Sequence, residues 1–82
     1  MITHVAIMRY SGEVFSLPPP NRHHNVLWLI AERQVEGDEQ GFLRHDGVFL
    51  NRKAALLEAQ KCNQLLPRAT HPGGQLYSED VW

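Results

Sequence analysis

The stretch from Arg44 to Cys62 limits the possible folds more than any other, because it joins a hairpin signal directly to a helix signal. Asp46-Gly47 lies between apolar runs, and a two-residue type I′ turn needs positive φ at both central positions, which aspartate and glycine tolerate. One strand therefore ends near His45 and the next begins at Val48. The second strand stops at Asn51, whose side chain can cap the following turn, and Arg52 to Cys62 continues as helix.

A helix start presents amide hydrogens and a positive partial charge, and Arg52 adds a full charge beside it, so anions are the natural guests of this corner. The pattern recurs upstream, where Arg9-Tyr10-Ser11-Gly12-Glu13-Val14-Phe15 leads to Asn21-Arg22 and an apolar, helix-like run. The chain reads as two copies of hairpin, Asn-Arg, helix. The copies are short and differ by the Pro18-Pro19-Pro20 insertion, which leaves chance similarity as the alternative to internal duplication.

The expected fold class is α+β: a small antiparallel sheet of two hairpins with two helices in ββα-ββα order, then an extended C-terminal segment. Residues 1–82 form a single domain, with halves at 1–36 and 40–66 and a docking segment at 67–82. Ile2 to Tyr10 is the first strand, with Val5 and Ile7 on one face and Ala6 and Met8 on the other, which fits cover on two sides. Glu13 to Leu17 returns beside it, and the three prolines end the pairing.

Asn21 is expected to cap a helix running to about Glu36, in which Val26, Leu27, Ile30 and Gln34 follow the helical period and Trp28, Leu29 and Ala31 widen the apolar stripe. So wide a stripe in so short a chain favours a partner chain, and hence a homo-oligomer. Gln40 to Arg44 and Val48 to Leu50 make the second hairpin. In the second helix Ala55, Leu56, Ala59 and Cys62 mark the buried side, and Leu65 and Leu66 close the core. The last segment, Gln75 to Trp82, regains aromatic and apolar residues, so it should dock.

At 82 residues a single core struggles to offset conformational entropy, and oligomerisation is one remedy. A net charge of −1 with 43% hydrophobic residues gives no bulk attraction to DNA or to an anionic membrane. One cysteine excludes an intrachain disulfide framework and suits a reducing compartment. The longest apolar run, Val26 to Ala31, is too short to span a bilayer, and the N-terminus lacks a signal-peptide pattern, so a cytoplasmic protein is expected.

Arg22-His23-His24, Gly41-Phe42-Leu43, Phe49-Leu50-Asn51-Arg52 and Leu76-Tyr77-Ser78-Glu79-Asp80, in that order, resemble small phage proteins of the Thoeris anti-defence sponge family. The likeness spans most of the chain, each motif is short, and the triple proline departs from the family pattern. It implies a protein of the host cytoplasm that sequesters a cyclic nucleotide-derived defence signal, a cyclic ADP-ribose isomer or a cyclic oligonucleotide. No bond is broken and no cofactor is needed. The resemblance also implies oligomers with pockets at or near subunit contacts.

Arg22 and Arg52 are the first candidates for a diphosphate, since a guanidinium fork matches two phosphate oxygens. The opposing reading makes them solvated arginines, yet a cation at a helix start is placed against the dipole, which is the reason to suspect a ligand. Arg44 is either a surface strand residue or a further contact. Asn51 joins the set as the cap beside Arg52. His23 and His24 are adjacent on a helix and point about 100° apart, so they cannot converge on a metal. They are left as ligand donors or surface residues.

Phe49 and Tyr77 are either core residues or a platform for a base, where stacking contributes about 1–3 kcal/mol. Glu79 and Asp80 either accept from ribose hydroxyls or an adenine amino group, or form an exposed polar turn. As a catalytic pair they are weak, because neighbours on an extended chain face opposite ways.

The sequence carries no glycine-rich phosphate loop, nucleophile elbow or paired HxxxH, and the expectation is a binding protein and not an enzyme. The leading function is capture of a small phosphorylated nucleotide. The rival is a protein-binding inhibitor of a host defence enzyme, anti-CRISPR-like, acting through an exposed apolar helix face; a nuclease or phosphodiesterase is the third.

Overall fold

The computed structural model describes residues 1–30 and 36–82. Strand β1 (Ile2–Met8) pairs antiparallel with β2 (Val14–Leu17) and with β3 (Glu39–Arg44), and β3 pairs with β4 (Phe49–Asn51). The sheet order is β2-β1-β3-β4. Helix α1 (His23–Leu29) follows β2 and α2 (Arg52–Lys61) follows β4, which is the expected α+β, ββα-ββα arrangement.

Both hairpins close through the same three-residue loop. Gly12 N donates to Arg9 O at 2.8 Å and Arg9 N to Glu13 O at 2.7 Å; Gly47 N donates to Arg44 O at 2.8 Å and Arg44 N to Val48 O at 2.9 Å. Gly12 (φ 92°) and Gly47 (φ 84°) alone take the left-handed position in these loops. The second loop is thus a three-residue turn with a glycine bulge, which corrects the two-residue type I′ turn expected at Asp46-Gly47. Asp46 stays at negative φ and accepts instead from Val48 N and from Arg44.

Val5 and Ile7 of β1 share a face with Phe15 and Leu17 of β2 and with Phe42 and Leu50, because side chains alternate and these residues pair across the strands. This face joins Val26, Ile30, Ala55, Leu56, Ala59 and Leu76 in one core. A register shift between Ile2 and His4 brings Ile2 into the same core, which strict alternation would have denied it. On the opposite face Ala6 is also fully buried, and the Phe49 ring lies over Gly41.

Helix α1 departs from expectation at both ends. Its N-cap is Arg22, not Asn21, which turns back so that its side-chain amide donates to Pro18 O at 2.8 Å. The helix stops at Leu29, short of Glu36, because Ile30 is extended (φ −84°, ψ 117°) and packs into the core. The expectations for Ala31 and Gln34 lie outside the described residues. Helix α2 follows its prediction closely, with Asn51 Oδ1 accepting from Ala54 N at 2.8 Å. Cys62 is a correction: it is exposed just past the helix, with its thiol donating to Glu58 at 3.2 Å.

The C-terminal segment docks on its own chain. Leu76 is fully buried, Leu76 N donates to Arg52 O at 2.9 Å, and Ser78–Asp80 forms a single 3-10 turn in place of a continuous extended run.

Candidate functional site

Gly41 of β3 is tied to both helix starts. Gly41 pairs with Asn51, the cap of α2, while its carbonyl accepts from Nε2 of His23 in the first turn of α1 at 2.7 Å. A carbonyl only accepts, so Nε2 carries a proton. Burial pushes the His23 pKa down to about 4, with the Arg52 charge adding to the effect, and the ring packs edge-on to Phe42 at 5.0 Å. His23 is therefore committed to the fold.

Arg22 and Arg52 both hold the C-terminal segment. Arg22 Nη1 donates to Ser78 Oγ at 3.1 Å and Nη2 to Trp82 O at 2.8 Å, with Glu79 3.5 Å away as an ion-pair partner. Arg52 Nη1 donates to Leu76 O at 2.7 Å and Nη2 to Gln40 Oε1 at 2.5 Å, and its guanidinium lies 4.4 Å above the Tyr77 ring. Half-burial weakens the hold of Arg52 on its proton. Residues 76–82 thus run as a strap from one helix start to the other.

Beside the start of α2 lies a cavity of about 480 Å³, lined by Asp38, Glu39, Gln40, Asn51, Arg52, Lys53 and Gln75. Two cations face two carboxylates here, together with three side-chain amides. Asp38 is itself paired with the buried Arg9 at 3.1 Å. Of the residues singled out in the sequence, Asn51 and Arg52 reach this cavity. Asp38, Glu39, Gln40, Lys53 and Gln75 were missed; Lys53 had a signal, as a second cation in the first turn of α2, whereas the others come together only through folding.

The remaining candidates are dispersed. Asp80 is buried and accepts from Thr70 N at 3.1 Å and Tyr77 N at 3.0 Å, so it shapes the strap and is not an exposed polar turn. Glu79 is exposed beside Arg22. His24 packs edge-on to the exposed Trp28 at 5.7 Å. Arg44 is tied to Asp46, whose carboxyl it holds well below the usual carboxylate range. The Phe49 ring lies over Gly41, away from the cavity lining.

Among the described residues no group of three or more His, Cys, Asp or Glu is placed to hold a metal ion, and no helix is long and apolar enough to cross a membrane. No curated protein and no solved structure matches the chain. A family model does match, over residues 1–82, and it describes the phage T4 y16D protein. With that match running through both hairpin-helix units and the strap that joins them, the chain belongs to the phage T4 y16D protein family.

Proposed function

We propose that this phage protein captures a small phosphorylated nucleotide in the cavity at the start of α2 and releases it unaltered. The preferred class is the cyclic nucleotide-derived signals of host defence, cyclic ADP-ribose isomers or cyclic oligonucleotides, held in the host cytoplasm. The observation that carries this reading is the lining of the cavity. Lys53 and Arg52 offer cations to phosphate oxygens at a helix start, while Glu39, Gln40 and Gln75 offer acceptors and donors suited to ribose hydroxyls and a base edge. Nothing in this set pairs a nucleophile with a base, which favours holding over hydrolysis.

Inhibition of a host defence enzyme by direct contact is the second reading. It is favoured by Trp28, 78% exposed, and its neighbour Leu29, 51% exposed, on α1.

Mixing the protein with a panel of cyclic nucleotides, following its thermal stability, and analysing the ligand released on denaturation tests both. A ligand at 100 times its Kd stabilises the fold by about 2.7 kcal/mol. Stabilisation with intact recovery supports capture, altered ligand means an enzyme, and no stabilisation across the panel leaves the protein-binding reading.

A further inference from the structure

We propose that Arg22 is a positioning residue for the cavity at the start of α2, acting through the strap and Arg52 without touching what binds there. The inference builds on the ligand reading of that cavity. Arg22 is absent from the cavity lining, and its guanidinium already serves Ser78, Trp82 and Glu79.

What Arg22 grips leads by short steps to the cavity wall. Ser78 opens the 3-10 turn, whose Asp80 accepts from Tyr77 N at 3.0 Å while Asp80 N donates to Tyr77 O at 2.9 Å. Tyr77 in turn lies under the guanidinium of Arg52, and Arg52 lines the cavity. The far end of the turn is pinned to the start of α1 as well, since Trp82 N donates to Ser78 O at 3.0 Å and Trp82 Nε1 to Asn21 O at 2.8 Å.

The near end behaves differently. Leu76 is fully buried in the core, so its carbonyl remains a fixed acceptor for Arg52 even when the turn loosens. Loss of the Arg22 grip leaves the turn to the bonds that Asp80 takes from Leu66 N and Thr70 N and that Trp82 gives to Asn21 O, so the Tyr77 ring shifts beneath Arg52 while the Leu76 carbonyl stays in place. Arg52 would keep its bonds to Leu76 O and Gln40 Oε1 but lose the support of a fixed ring beneath it, which loosens the direction in which it presents its charge. A binding group needs to be held close to its productive geometry by such supporting contacts.

The test compares wild type with Arg22→Met by NMR and by titration with cyclic ADP-ribose. Arg52 protons above the Tyr77 ring are expected to show an upfield ring-current displacement in wild type. Arg22→Met is expected to reduce that displacement while the Val26 and Leu56 methyl signals stay in place, and to weaken cyclic ADP-ribose binding about tenfold, by analogy with supporting contacts around metal sites. Should Arg22→Met fail to fold, Ser78→Ala removes one strap bond and is expected to shift the same Arg52 signals in the same direction. Unchanged Arg52 signals, or equal affinity in wild type and variant, overturn the positioning role and leave the ligand reading standing. Binding by wild type of neither cyclic ADP-ribose nor any cyclic oligonucleotide of the panel overturns both.

Discussion

His23 and Gly41 are joined by a buried hydrogen bond of 2.7 Å that fastens the start of α1 to the strand neighbouring the start of α2. Burial, against the pull of this bond, keeps the ring neutral, and the His23 pKa falls from 6.5 to about 4 on folding. The unfolded chain thus takes up a proton that the fold refuses. The contribution of His23 to stability is complete above pH 6.5 and is lost as the pH falls from 6.5 to 4, by about 3 kcal/mol in all. Urea denaturation at pH 7, 5.5 and 4 is expected to show this loss, and His23→Gln, which keeps a donor but does not titrate, is expected to flatten that part of the profile. Equal pH dependence in the two proteins would remove His23 as the cause.

Gly41 is expected to tolerate no side chain. A Cβ there would stand 2.2 Å from Leu50 O and 2.6 Å from the Phe49 ring. The ring can turn aside, but the strand carbonyl cannot, so Gly41→Ala should cost about 3 kcal/mol, the upper end for overpacking. Thermal denaturation measures it, and a loss below about 1 kcal/mol would mean that β3 and β4 part more easily than their pairing indicates.

Asn51 closes α2 through the 2.8 Å bond from Ala54 N. Asn51→Ala should cost about 1 kcal/mol, and Asn51→Asp, which keeps the acceptor, should recover most of it. The comparison is made by chemical denaturation. Failure of aspartate to recover stability would assign the effect to the cavity wall and not to the cap.

Lys53 separates binding from folding. It is exposed and lines the cavity, so Lys53→Met should change stability by less than about 0.5 kcal/mol while weakening the binding of a phosphorylated ligand. Arg52→Met should do both, since it also abandons Leu76 O and Gln40. Calorimetric titration beside thermal denaturation distinguishes them, and undiminished binding by Lys53→Met would move the ligand elsewhere.

Much of the fold was legible because its signals are local. Asn51 announces a cap, Gly12 and Gly47 announce left-handed turns, and Ala55, Leu56 and Ala59 repeat at helical spacing. The end of α1 was not legible, since the apolar residues from Val26 onward satisfy a helical period whether the helix continues or, as observed, Ile30 turns extended into the core. The site was half legible for a similar reason. Arg22 and Arg52 stand out as cations at helix starts, but what they hold is decided by a segment far along the chain, and no local pattern reveals that Leu76 and Tyr77 come to rest against Arg52.

The outermost strands of the sheet are its shortest: β2 has four residues and is followed by Pro18-Pro19-Pro20, and β4 has three and runs straight into α2. A foreign strand laid along either flank would gain few main-chain bonds before meeting a residue that has no amide hydrogen or a chain that has turned away into a helix. The sheet is in effect hemmed on both sides. Stacking of sheets edge to edge into fibres is disfavoured by the same design.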